Sequence, residues 1–222
     1  MRAVVWTVVV LVVLLGGAAV ADVVLREQAE RDVATWVTDA LPHTRDVEVT
    51  IEDFPFLTQV LAGRVDRAQV TAAQTEVDGL RLTDVAVELT GVTTDAPHTA
   101  ETLDLQAHAS TDAVAAVLSV PMDLTVRSGE LRAVLDIAGL PLHVVLEPRA
   151  EGREVVVDVT GFVLAGLRLD ESDLPAGVLD VVQGLGFAVP GLPEGLELTD
   201  LVVVADGLVI TASGQDVLLE AD

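Results

Sequence analysis

Apolar and polar residues alternate with a period of two along most of the chain after residue 46. Such alternation is typical of strands that have one buried and one solvated face. Short connections such as R-S-G-E, E-G-R-E and A-D-G between the alternating segments predict antiparallel hairpins. The sequence therefore predicts many strands, at residues 47–51, 65–72, 80–89, 103–109, 124–135, 143–147, 155–160, 196–204, 208–212 and 217–219.

Residues 22–41 show a different period, because their apolar side chains recur every three or four positions. This spacing predicts an amphipathic helix with Asp22 as its N-cap and Pro42 as its stop. We expect the apolar stripe to pack on a sheet, since a helix that lies on a membrane would carry basic rather than acidic residues on its polar face. The stripe contains Leu25, Ala29, Val33, Trp36, Val37, Ala40 and Leu41.

Three shorter helices are predicted at residues 55–62, 112–118 and 174–185. No linker rich in proline, serine or charge divides the chain, so residues 22–222 are predicted to form a single domain. The predicted fold class is α+β, a long antiparallel sheet with a few helices on one face. Aromatic residues make up only 3% of the chain. An interior of valine, leucine and alanine indicates a strongly curved sheet whose concave apolar face is incompletely filled.

The first 21 residues form a separate segment. Residues 3–21 carry no charge and follow Arg2, and the run is long enough to span a bilayer. One interpretation is a secretory signal peptide cleaved after the A-V-A triplet that ends at Ala21; the other is an uncleaved N-terminal membrane anchor, which the length favours. Both interpretations predict that the domain is exported, to the outer face of the plasma membrane or a periplasm-like space of the cell envelope.

The charge of the chain narrows the choice of partners. The formal net charge is −24, from 36 acidic and 12 basic residues, and every basic residue is an arginine. Nucleic acid is excluded as a partner because its phosphates require a basic stripe. Negative charge also opposes docking on anionic lipid headgroups. Any contact with lipid must therefore come from apolar surface.

Motifs for catalysis or metal binding are absent from the sequence. The chain has no cysteine, which excludes disulfides, thiol catalysis and zinc-cysteine sites. Its serines lie outside any G-x-S-x-G motif, and the acidic cluster at 170–173 lacks the spacing of a calcium loop. The histidines have no metal-ligand spacing either; they are His43, His98, His108 and His143. We therefore predict no enzyme activity, no catalytic residue, no metal and no cofactor.

Three segments carry the motifs of a known family. They read VEVTIEDFPFLTQVLAGRVDRAQVTA at 47–72, GLRLTDVAVELTGV at 79–92 and GLPEGLELTDLVVVADGLVITASGQDV at 191–217. Together with the N-terminal apolar segment they resemble the LmeA family of actinobacterial cell-envelope phospholipid-binding proteins over nearly the whole chain. The resemblance implies phospholipid binding and support of envelope biogenesis, through the maturation of lipid-linked glycan. It also implies a fold like the tubular, BPI-like lipid-binding domains, in which a strongly curved sheet wraps an N-terminal helix around an apolar groove.

The F-P-F block has two interpretations under this resemblance. Pro55 biases the residue before it toward extended backbone and fits the first turn of the helix predicted at 55–62. The apolar side chains around it then form a lip, which either packs in the core or borders the groove where acyl chains enter. The lip contains Phe54, Phe56, Leu57, Val60 and Leu61, and Trp36 completes the predicted lipid-binding residues.

Arg64 and Arg67 follow the block and are candidates for headgroup contacts at the rim of the groove; the alternative is ordinary solubility of a strand edge. The predicted function is non-catalytic binding of phospholipid, with acyl chains held at about 0.8 kcal/mol per buried methylene. The alternative is a membrane-anchored scaffolding domain with a filled interior that binds an envelope enzyme. A hydrolase of envelope lipids is a third option, opposed by the missing nucleophile motifs.

Overall fold

The computed structural model describes residues 2–41, 43–77, 79–118, 122–137, 140–164, 166–169, 186–189 and 192–219, without the side chains of residues 2–19, 136, 137 and 140. Three predictions made from the sequence lie outside the described residues: the stop at Pro42, the helix at 174–185 and the acidic cluster at 170–173.

The N-terminal segment is a single helix, α1 (Arg2–Ala40), that runs without interruption. The prediction that Asp22 caps a separate helix is therefore wrong. Valine, leucine and alanine tolerate helix well enough to offset the roughly 1 kcal/mol that each of Gly16 and Gly17 costs. Among the residues whose side chains the structure describes, which in α1 begin at Val20, no helix is long and apolar enough to cross a membrane.

The first sheet, sheet A, contains six antiparallel strands in the order β1-β2-β3-β4-β12-β11. A short helix, α2 (Phe56–Leu61), connects its first two strands. The long strands extend well past the predicted segments, because the alternation continues through polar residues that face solvent. Their bounds are β1 Glu48–Ile51, β2 Arg64–Val77, β3 Leu80–Thr93, β4 Thr99–Ser110, β11 Leu196–Val204 and β12 Gly207–Leu218.

The second sheet, sheet B, follows helix α3 (Thr111–Val117), whose N-cap is Ser110: the Ala113 N–H donates to the Ser110 hydroxyl. Its strands run in the order β10-β8-β7-β6-β5, and β9 pairs with β8. The predicted strand at 124–135 is a hairpin that turns at Ser128 and Gly129, both at positive φ. The strands are β5 Asp123–Arg127, β6 Glu130–Ile137, β7 Leu140–Glu151, β8 Glu154–Leu164, β9 Leu167–Leu169 and β10 Gly186–Ala188.

Sheets A and B share one hydrophobic core, which also includes α3. As the composition predicted, it is built almost wholly from leucine, valine and alanine. Its most deeply buried large side chains are Leu80, Leu142, Leu196, Leu208, Val144, Val155 and Val217. A mainly antiparallel structure with an N-terminal helix is confirmed. The two sheets are neither closed nor strongly curled, so the predicted curved sheet wrapped around the helix stays a prediction.

The apolar stripe of α1 does not pack on the sheet as predicted. Trp36 is 57% exposed, and Leu25, Val33 and Leu41 are exposed as well. Ala29 alone of the stripe packs against a buried cluster. The reason is topological: α1 lies beside the edge strand β1 and α2, while the buried hydrophobic residues of sheet A are covered mainly by sheet B and α3.

Candidate functional site

Helix α2 is held by a carboxylate that comes from a distant part of the chain. The backbone N–H groups at a helix N-terminus have no partner within the helix. Pro55 occupies the N-cap position and has no side-chain acceptor to offer. Asp22 of α1 fills that role: its Oδ2 accepts from the Phe56 N–H at 3.0 Å and its Oδ1 from the Leu57 N–H at 2.7 Å. Asp22 is only 3% exposed, so this contact fixes α2 against α1.

A buried glutamine fixes the other side of α2. The Gln59 side-chain amide donates to the Asp53 carbonyl at 3.3 Å, and its Oε1 accepts from the Asp66 N–H at 2.8 Å. These bonds join α2 to the turn that precedes it and to the beginning of β2. Together with Asp22, they give the short helix a fixed orientation that its six residues could not maintain alone.

The predicted apolar lip is divided by this arrangement. Phe56 is 6% exposed and packs with Ile51 and Val65, so it is a core residue. Phe54 is 66% exposed and Leu61 is 86% exposed. Leu57 is partly exposed, and Val60 is exposed with the other two. We call the exposed set, Phe54, Val60 and Leu61, the α2 apolar surface.

A second group of exposed apolar residues surrounds α1 where α2 attaches to it. These residues lie within one helical turn of Asp22, and the first charged residue after them is Arg26. All are at least 40% exposed. We call this group the α1 collar; it consists of Val20, Val23, Val24 and Leu25.

Trp36 does not belong to this site. It lies fourteen residues after Asp22 in the same helix, which places it about 21 Å farther along the axis. The structure therefore separates the tryptophan from the other predicted lipid-binding residues.

Arg64 and Arg67 lie close to α2, but each is paired with a carboxylate. Arg64 contacts both carboxylate oxygens of Glu101, with Nη2 to Oε2 at 2.7 Å. Arg67 Nη1 lies 3.1 Å from Glu52 Oε2. Such exposed pairs contribute only about 0–1 kcal/mol. A phosphate that bound either arginine would have to displace the carboxylate, and the energetic cost of that exchange is small.

A wholly apolar pocket lies in the described interior, between α3 and sheet B. Its volume is about 10 Å³, roughly the space of a single water molecule. The pocket does not admit an acyl chain as it stands, so the predicted apolar groove stays a prediction. It is lined by Val114, Leu118, Leu124, Leu131, Leu146, Pro148, Val155, Val157, Phe187 and Leu208.

A polar depression lies at the opposite end of β3 and β4 from the β3–β4 connection. There His108 bridges two side chains, with Nδ1 3.1 Å from the Thr83 hydroxyl and Nε2 3.1 Å from an Asp206 carboxylate oxygen. Thr83 and His108 are direct cross-strand partners, so the strand register accounts for their contact. Across the described ranges, no group of three or more histidine, aspartate or glutamate side chains is placed to hold a metal ion.

The residue that sequence reasoning missed is Asp22, which was interpreted as the cap of its own helix. The available signal was a helix, α2, whose N-cap is a proline and which therefore needs an acceptor from elsewhere.

A family model described as LmeA-like phospholipid-binding matches residues 20–213. The chain belongs to this family. The match confirms the resemblance found in the sequence and extends from the α1 collar through α2 and both sheets into β12. The LmeA-like assignment suggests lipid binding, and a non-enzymatic role with it. No curated protein and no solved structure matches the chain.

Proposed function

We propose that this LmeA-like protein is a non-catalytic phospholipid-binding protein of the cell envelope that supports the biogenesis of lipid-linked glycan. The observation that carries the proposal is the exposure of Leu61 on α2, which Asp22 holds in place, and of Phe54 in the turn just before it. Large apolar side chains on so acidic a protein are costly to expose unless they meet another apolar surface. Acyl chains of a phospholipid supply such a surface.

The apolar contact provides most of the affinity in this proposal. Burying a leucine or phenylalanine side chain contributes about 1.5–3 kcal/mol. Phe54 and Leu61 together therefore contribute on the order of 3 kcal/mol or more, roughly a hundredfold in the dissociation constant. The net charge of −24 repels anionic headgroups, so electrostatic attraction to them does not add to the affinity. Arg64 and Arg67 are the nearest cations for a single phosphate.

Native mass spectrometry of the full chain in detergent tests the proposal. The delipidated protein is titrated with phosphatidylethanolamine, and discrete protein–lipid complexes are counted. We expect a one-to-one complex with the unmodified chain and its loss in the Phe54→Ser/Leu61→Ser double variant.

The matched control is Leu167→Ser/Val202→Ser, which removes two exposed apolar side chains far from α2 in sequence. It should bind phospholipid as the unmodified chain does. Equal binding by both double variants, or no complex with the unmodified chain, would contradict the proposal.

A scaffolding function is the second candidate, because the exposed stripe of α1 has no partner among the described residues. Val33 and Trp36 form the part of that stripe that is remote from α2. A membrane-anchored scaffold would use it to bind an envelope enzyme. In-cell crosslinking that captures one envelope enzyme with the unmodified chain, and loses it with Val33→Ser/Trp36→Ser, would favour this function.

A further inference from the structure

We infer that the α2 apolar surface and the α1 collar dock on the surface of the lipid bilayer, so that the domain stands on the membrane through α2. This inference deepens the proposed function, on which it rests, by naming the bilayer as the partner of the same site. Three features of the molecule support it: the level of α2 along the helix, the position of the first charges, and the partner of Asp22.

The level of α2 is set by the contact with Asp22. Residues 3–21 are uncharged, and nineteen helical residues extend about 28 Å, close to the thickness of the hydrocarbon core. If this segment occupies the bilayer, Asp22 lies at the boundary of the hydrocarbon region. Because Asp22 binds the first N–H groups of α2, the N-terminal end of that helix lies at the same level.

After Asp22, the next charged residues of α1 follow directly beyond this level. The α1 collar is exposed and apolar, whereas the following turns contain Arg26, Glu27, Glu30 and Arg31. These four residues form the i, i+4 ion pairs Arg26–Glu30 and Glu27–Arg31. A helix whose surface changes from apolar to charged within one turn is typical of a chain that leaves the membrane at that point. Phe56 and Leu57, which Asp22 binds, lie beside this change, and Phe54 and Leu61 flank them in the chain.

The pairing of Asp22 removes the main objection to placing an acid at this depth. A carboxylate near the hydrocarbon region is costly unless its charge is compensated. Here both of its oxygens accept hydrogen bonds from the positive N-terminal end of α2. The same bonds direct the α2 apolar surface, since α2 cannot rotate away from α1 while they persist.

Charge indicates which kind of bilayer surface fits. Asp53 and Asp66 are exposed near α2, and the two nearby arginines are paired with Glu52 and Glu101. The docking surface is therefore apolar with no net positive charge. We expect it to bind zwitterionic phosphatidylcholine at least as well as anionic lipid.

The absence of cysteine allows a direct depth measurement on the full chain. The variants Leu61→Cys and Leu167→Cys each carry one NBD fluorophore and are reconstituted into phosphatidylcholine nanodiscs with and without nitroxide-labelled phosphatidylcholine. Both leucines are highly exposed, so neither substitution should disturb folding, and Leu167 lies on sheet B as the matched control. We expect the label at position 61 to lose most of its emission to the nitroxide and the label at position 167 to lose none.

Two results would overturn the docking inference. An unquenched label at position 61, in nanodiscs that retain the protein, would show that α2 stands clear of the bilayer. Equal quenching at positions 61 and 167 would show that the domain has no preferred face. If either occurs while native mass spectrometry still detects the one-to-one phospholipid complex, the docking inference fails and the proposed function stands. Loss of that complex as well would contradict both.

Discussion

The shared core and the α2 apolar surface are made of similar side chains in opposite environments. Leu142 in β7 is fully buried by neighbours from both sheets, whereas Leu61 in α2 is 86% exposed. The clearest pair is Phe54 and Phe56, which flank one proline. Phe56 points into a small cluster with Ile51, and Phe54 points to solvent. Hydrophobicity alone therefore does not define a binding surface in this protein; the positions that the fold leaves without neighbours do.

Replacing the buried phenylalanine should have the largest effect on stability. We expect Phe56→Ala to lower the free energy of unfolding by about 3 kcal/mol, because it leaves a cavity beside Ile51 and Val65. Urea denaturation of the full chain in detergent measures this change. A loss below about 1 kcal/mol would mean that the cluster collapses around the smaller residue and that Phe56 is not a core residue in the usual sense.

Replacing the exposed phenylalanine, Phe54, should weaken phospholipid binding and leave stability nearly unchanged. We expect Phe54→Ala to change the free energy of unfolding by less than about 0.5 kcal/mol and to weaken phospholipid binding by about 1.5–2 kcal/mol, more than tenfold. Urea denaturation and native mass spectrometry give the two numbers on the same preparation. A loss of stability equal to that of Phe56→Ala would remove the distinction between the two residues.

The contact between α1 and α2 should have an intermediate effect. We expect Asp22→Ala to cost about 0.5–2 kcal/mol, the usual range for the loss of a helix cap. Hydrogen exchange at the Phe56 and Leu57 amides should accelerate more than exchange in the strands of sheet B, because these two N–H groups lose their acceptors. Asp22→Asn keeps one acceptor oxygen. Its stability and its exchange rates at the two amides should therefore lie between those of the unmodified chain and those of Asp22→Ala. Unchanged exchange at both amides in Asp22→Ala would show that another group caps α2.

The exposed ion pairs should have the smallest effect. We expect Arg64→Ala to change the free energy of unfolding by less than about 1 kcal/mol, and Arg149→Ala, which removes an exposed pair with Asp158 on sheet B, to do the same. Phospholipid titration then compares the two variants. Weaker binding for Arg64→Ala alone would assign a headgroup contact to it, and equal binding would remove Arg64 from the proposed rim.

The sequence predicts the strands of this fold better than their arrangement. Alternation reports that a segment has two different faces, and the short connections correctly predict the hairpins at Gly129, Gly152 and Gly207. It does not report which strands pair, so the sequence predicts one long sheet where the structure has two. The family was accessible because its motifs are local stretches of chain.

The site could be predicted only in part, because its geometry depends on contacts between residues far apart in sequence. The partner of Asp22 lies 34 residues away, and nothing near Asp22 indicates that its carboxylate is used by another helix. The burial of Phe56 and the exposure of Phe54 also depend on this contact, because it sets the orientation of α2 relative to α1. Trp36 satisfied the local pattern as well as any residue, yet helix geometry places it far from α2.

The uninterrupted course of α1 has a mechanical consequence. A helix that continues without a break through residues 20–24 couples the tilt of its upstream half to its downstream half, and Asp22 couples α2 to the same helix. Bilayers of different thickness impose different tilts on a spanning helix. If residues 3–21 form the predicted membrane anchor, membrane thickness would in this way influence how closely Phe54 and Leu61 approach the acyl chains.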